Sequence, residues 1–160
     1  MRAGILVYGY GNPARLDDGL GPALVHELAA RRITGVSLET GYQLQVEDAA
    51  LIAEHDVVVF ADADATCAGP FEIRWVEPRP ESAFTTHSVA PEALLALAHE
   101  HFGARTLGFV LGIRGYEFNE FGEDLSPGAQ RNLAAAADFM DRALRGGSFA
   151  TEAVASERER

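Results

Sequence analysis

Asp56-Val57-Val58-Val59-Phe60-Ala61-Asp62-Ala63-Asp64 is the stretch whose reading decides the fold. Residues 57–60 are apolar without alternation, so both faces of the segment are buried, as in the middle of a parallel sheet covered by helices. The strand is read over 56–61 and closes on two acids, Asp62 and Asp64. Upstream, residues 5–8 form another short apolar run ending in Gly9-Tyr10-Gly11, and residues 36–38 a weaker one. Downstream, residues 106–113 repeat the pattern, with Gly108 as an interruption. Residues 71–76 alternate, Phe71, Ile73 and Trp75 against Glu72 and Arg74, which predicts a half-buried or edge strand entered as a hairpin-like excursion.

Helical spacing fills the intervals. Leu20, Leu24 and Leu28 share a face, with Asp17 or Asp18 as the candidate cap. Residues 44–54 read as a second helix, and Leu94, Leu95, Leu97 and Ala98 belong to a third that stops at Gly103. Ser126-Pro127 opens a fourth, serine as cap and proline in the first position, with Leu133, Ala137, Met140 and Leu144 on one face and Gly146-Gly147 ending it. Strands alternating with helices imply an α/β fold: a three-layer sandwich with a mostly parallel twisted sheet of about five strands flanked by helices.

The 160 residues fit one domain, read as 1–147, followed by an aperiodic tail, 148–160, expected to be mobile. Acids outnumber bases 24 to 13, a net charge of −11, which disfavours nucleic acid and anionic membrane surfaces as partners. A lone cysteine, Cys67, allows no internal disulfide and reads as a small packed residue. No apolar run approaches the ~20 residues of a membrane helix, and residues 1–9 do not resemble a signal peptide. The expected location is the cytoplasm.

Candidate chemistry gathers at one sheet edge. Gly9-Tyr10-Gly11-Asn12-Pro13-Ala14 fits a dinucleotide-binding pattern in form. However, Pro13 removes an amide, and Asp17 and Asp18 stand where a pyrophosphate would bind, so charge opposes that use. In open parallel sheets sites collect beyond the carboxyl ends of the strands, where Asp18 and Asp62 both fall, with Asp64 competing for the same role. Of the five histidines, His26 lies within a helix, His55 on the opposite edge, and His99 and His101 at a helix end. His87, in Phe84-Thr85-Thr86-His87-Ser88, returns to the edge of Asp18 and Asp62. Two carboxylates and an imidazole make an open site for a borderline divalent metal; a turn, a cap and an incidental loop histidine account for the same residues separately. Residues 117–124 combine Glu117, Glu120, Glu123 and Asp124 with Phe118 and Phe121 after the last strand, which reads as a solvated loop or a partner-docking one.

In order along the chain, Gly9-x-Gly11-Asn12, Asp17-Asp18-Gly19-x-Gly21, Ala61-Asp62-Ala63, Thr85-Thr86-His87-Ser88 and Leu111-Gly112-Ile113 resemble the motifs of the hydrogenase maturation proteases. The resemblance spans residues 5–144. It implies an endopeptidase that removes the C-terminal extension of a nickel-loaded [NiFe]-hydrogenase large-subunit precursor. The inserted nickel is the recognition signal, supplied by the precursor rather than held by the free enzyme. Carried over by motif, Asp18, Asp62 and His87 are the catalytic and metal-contacting residues. Glutamate often stands in the family where this chain has Asp18, and Gly41-Tyr42-Gln43 replaces a common Asp-Gly-Gly segment. The competing classes are a non-catalytic nickel or zinc carrier and a soluble cofactor-binding domain.

Overall fold

The computed structural model describes residues 4–80 and 89–146. Five strands form one sheet: β1 (Ile5–Tyr10), β2 (Val36–Gly41), β3 (Val57–Asp64), β4 (Phe71–Val76) and β5 (Leu107–Arg114), in the order β2-β1-β3-β5-β4. The β1–β2, β1–β3 and β3–β5 pairs are parallel, and β4 lies antiparallel on β5 at the edge. Helices α1 (Leu20–Ala30), α2 (Asp48–Ala53), α3 (Pro91–Phe102) and α4 (Pro127–Arg145) complete the fold. Among the described residues no helix is long and apolar enough to cross a membrane.

The period-two alternation of the strands divides their apolar side chains between two cores. Ile5, Val7, Val57, Val59, Ala61 and Leu111 face α1 and α4, packing on Leu24, Leu28, Ala137 and Met140. Leu6, Tyr8, Val58 and Phe60 face α2 and α3, meeting Ile52, Leu94 and Leu95. This is the three-layer arrangement expected from the uninterrupted run at 57–60: every residue in it is buried because helices cover both faces. Full burial of each large apolar side chain contributes about 1.5–3 kcal/mol.

Local signals operate as expected at two helix ends. The Ser126 hydroxyl accepts from the Ala129 N–H at 3.3 Å with Pro127 in the first turn of α4, and Gly103 closes α3 in the left-handed region at φ 64°. Other expectations need correction. The strand through Phe60 does not end at Ala61; its ladder with β5 continues to Asp64↔Arg114, so Asp62 is a strand residue. Strand β4 is the edge strand its alternation predicts, but it is no hairpin-like excursion: α3 intervenes before β5, its antiparallel partner. Helix α2 begins at Asp48 rather than at residue 44, because Asp48 Oδ2 accepts from the Gln45 N–H at 2.9 Å and so organises a turn ahead of the helix. His87 and the tail 148–160 lie outside the described residues.

Candidate functional site

The site grows from the turn that joins β1 to α1. Gly11, at φ +140°, would drive a Cβ to 2.1 Å from the Asp18 carbonyl oxygen. A Cβ on Gly9 would reach 2.2 Å from the Gly21 carbonyl oxygen, and one on Gly21 2.5 Å from that of Ala61. These glycines let α1 begin with its backbone directly against the carboxyl ends of β1 and β3. The loop between them consumes its own amides. The Asn12 N–H donates to Asp18 Oδ2 at 2.8 Å, the Ala14 N–H to Asn12 Oδ1 at 2.9 Å, and the Arg15 N–H to the Asn12 carbonyl at 3.0 Å. A pyrophosphate would find these donors taken by protein acceptors, one of them a carboxylate. The glycine pattern that fits a dinucleotide fingerprint is therefore a packing device here.

Neither aspartate caps α1. A 3-10 turn over Leu16–Gly19 precedes the helix, whose cap position is Gly19 without a side-chain bond. Asp17 is fully buried and accepts from the Tyr116, Glu117 and Ser126 N–H groups and from the Ser126 hydroxyl, at 2.7–3.0 Å. Burial alone would raise its pKa. The hydrogen bonds from Ser126, Tyr116 and Glu117 outweigh burial and leave it below the usual carboxylate value. Asp17 thus ties the turn to the cap of α4, 109 residues away.

Asp18 is half-buried and lies close enough to Asp62 for its charge to act there. Asp62 has its pKa pushed up to about 6, first by burial and then by the charges of Asp18 and Asp64. The Ala63 N–H, donating to Asp62 Oδ1 at 2.8 Å, and the neighbouring Tyr10 phenol oppose that rise. Asp64, the competing acid, is committed elsewhere: its Oδ1 accepts from the Thr66 and Cys67 N–H groups at 2.9 and 3.1 Å and forms the turn after β3.

The structure thus brings Asp18 and Asp62 together at the carboxyl ends of the parallel strands; His87 is outside the described residues. His55 sits on the opposite edge, its Nδ1 2.9 Å from the Leu51 carbonyl oxygen, and His99 Nε2 lies 2.7 Å from that of Thr106. Among the described residues no group of three or more His, Cys, Asp or Glu side chains is placed to hold a metal ion. Cys67 is buried, as expected.

Two features flank the acids. On one side an open cleft of about 240 Å³ runs between Gly11, Pro13, Pro22, His26 and the Gly41–Tyr42 turn, with Tyr42 73% exposed. On the other the loop 115–125 is stitched to the turn. The Leu16 N–H donates to the Gly122 carbonyl at 2.8 Å, the Asp17 N–H to that of Glu117 at 2.9 Å, and Arg15 Nε to that of Phe118 at 2.9 Å. Phe121, within that loop, is 85% exposed. Tyr10 is the residue that motif reading passes over. Its signal is the β-register: Gly9 pairs with Ala61, so Tyr10 and Asp62 are neighbours on one face.

No protein-family model and no curated protein matches the chain by sequence. Solved structures do match by shape. The hydrogenase maturating endopeptidase HybD from E. coli superposes with a TM-score of 0.73 at 24% identity, covering 91% of this chain and 93% of that one. The [NiFe] hydrogenase maturation protease HycI from Thermococcus kodakarensis matches at 0.66 and 21%, covering 87% and 90%. The hydrogenase 2 maturation peptidase from a Thaumarchaeota archaeon matches at 0.64 and 22%, covering 88% and 97%. At these identities the shared property is the fold, which extends over nearly the full length of each partner.

Proposed function

We propose that this chain is an endopeptidase of hydrogenase maturation, which removes the C-terminal extension of a [NiFe]-hydrogenase large-subunit precursor after nickel has been inserted. The observation that carries the reading is the convergence of Asp18 and Asp62 at the carboxyl edge of the sheet, in a fold shared with proteins named for that activity. Asp18, Asp62 and His87 are the residues proposed to engage the substrate's metal. Oxygen and imidazole donors suit a borderline divalent ion, and three protein ligands leave room for ligands brought by the precursor. In this reading nickel is part of the substrate and serves to position the scissile bond. The protein acts in the cytoplasm, with the precursor as its partner.

Peptide hydrolysis needs a group that accepts a proton from water as the water attacks the scissile carbonyl. Before the substrate's metal is engaged Asp62, at about 6, is a stronger base than an ordinary carboxylate and is still mostly ionised at neutral pH. It takes that proton and returns it to the leaving amine as the C–N bond breaks. Asp18 keeps negative charge beside it, which favours uptake of the proton at that position.

The test is incubation of the purified chain with nickel-loaded and nickel-free precursor, read by mass spectrometry of the large subunit. Shortening of the loaded form alone is expected, with Asp18→Asn and Asp62→Asn inactive. A loaded precursor that stays at full length with the parent chain refutes the reading.

A further inference from the structure

Strand β2 lies at one end of the sheet and pairs on one side only, with β1. In a parallel ladder the N–H and C=O of one residue point to the same side, and successive residues alternate. The Gly41 carbonyl accepts from the Gly11 N–H at 3.0 Å, so Gly41, Glu39 and Ser37 turn their backbone groups inward. Val36, Leu38 and Thr40 turn theirs outward, over a span of about 13 Å. Among the described residues no backbone group pairs with these outward groups; the Thr40 N–H is held by the exposed Glu39 side chain, with Oε1 at 3.3 Å. Hollows follow the same edge. Val36 and Leu38, with Leu28, Ala29 and Ile33, line one of about 70 Å³ beside the end of α1. Thr40 opens on the cleft of about 240 Å³ that runs past Tyr42 to Gly11 and Pro13. Those two residues flank Asn12, whose N–H donates to Asp18 Oδ2, so the edge leads to the turn that carries this acid.

We propose that the free edge of β2 is a docking site for the precursor, which adds to it as an extended strand of about five residues and continues through the Tyr42 cleft toward Asp18 and Asp62. The inference deepens the proposed activity and rests on it for the identity of the occupant. A row of unpaired N–H and C=O groups calls for another backbone, and hollows beside alternate residues take alternate side chains: main-chain bonds supply affinity and the hollows selectivity. The aliphatic lining beside Val36 and Leu38 selects an apolar side chain. A peptide carbonyl displaces Glu39 from the Thr40 N–H, and the released carboxylate favours a Lys or Arg on the other face of the added strand. The occupant is thus an extended segment in which apolar and basic residues alternate. A second copy of the chain fits worse. Edge-to-edge pairing sets Glu39 on both sides of the seam, between two chains of net charge −11.

Residue-resolved amide hydrogen exchange reads the alternation directly. With nickel-loaded precursor added to Asp62→Asn, so that the substrate stays whole, the Leu38 and Thr40 N–H groups are expected to slow about tenfold or more. Those of Ser37, Glu39 and Gly41, already bonded to β1, are expected to keep their rates. In the cleavage assay, Thr40→Pro removes an outward donor and takes no bond from the β1 ladder. It is expected to raise KM about tenfold, with kcat changed less than twofold and the parent's melting temperature, because docking away from the scissile bond holds substrate and transition state alike. Ser37→Ala, at an exposed side chain of the same strand, is the control and is expected to keep the parent's KM. Unchanged exchange at Leu38 and Thr40 overturns the inference whether or not the parent cuts the precursor. Cleavage by the parent with an equal KM in Thr40→Pro also overturns it and leaves the proposed activity standing. Slowed exchange beside a parent that cannot cut refutes the activity and upholds the docking edge. Slowing that grows with the chain's own concentration, without precursor, assigns the edge to a second copy and overturns the inference.

Discussion

Two adjacent aspartates with opposite duties show how little residue type decides alone. Asp17 is closed in by four donors, whereas Asp18 satisfies one loop amide and faces Asp62. Asp17→Ala removes the acceptor of three backbone N–H groups and of the Ser126 hydroxyl, the Ser126 pair buried, and is expected to lower stability by about 3–5 kcal/mol. Asp18→Ala is expected to cost about 1 kcal/mol in stability and to abolish cleavage. Chemical denaturation of both variants, beside precursor assays, checks the contrast. Asp62 carries a separate pH signature. Its folded pKa, about 6, lies above the ordinary 3.8, so folding takes up a proton between those values. The stability it contributes is full below pH 3.8 and is lost as pH rises through about 6. Asp62→Asn is thus expected to melt with the parent near pH 4 and above it at pH 8, by on the order of 1–3 kcal/mol. Thermal melts across that range decide.

At the scale of elements, periodicity and punctuation were enough where the cause is local. The Ser126-Pro127 start, the Gly103 stop and the central strand at 57–60 could all be read from neighbouring residues. What could not be read depends on chain distant in sequence. Asp17 looked like a cap because its true donors lie about a hundred residues on. Strand β3 ran past its apolar stretch because β5 supplied ladder partners through Asp64, and β4 chose β5 over β3 because α3 carries the chain back. The acids at 18 and 62 were legible as edge residues from strand ends alone; the nearness of Tyr10 to Asp62 was not, since it comes from register. The loop 115–125 is the element whose placement beside the turn gives it a testable role. With Glu120, Glu123 and exposed Phe121 along it, charge reversal by Glu120→Lys with Glu123→Lys is expected to slow precursor processing most at low ionic strength, without changing the melting temperature. Stopped-time assays across a salt series check this.

For the molecule as a whole, the two cores close within the described residues: the α1–α4 face ends on Leu144, and α4 itself on Arg145. A chain ending at Gly147 is accordingly expected to fold with the parent's melting temperature and to process precursor at the parent's rate, as circular dichroism and the cleavage assay would show. The contact of Gly9 and Gly21, main chain on main chain, has a consequence for anyone wishing to remake this protein. A library that randomises positions 9, 11 and 21 spends nearly all its members on chains that cannot dock the first helix, while the exposed side chains of Tyr42 and Phe121 can be varied without that contact. Retargeting by directed evolution should therefore freeze the glycines as a unit and vary the two rims.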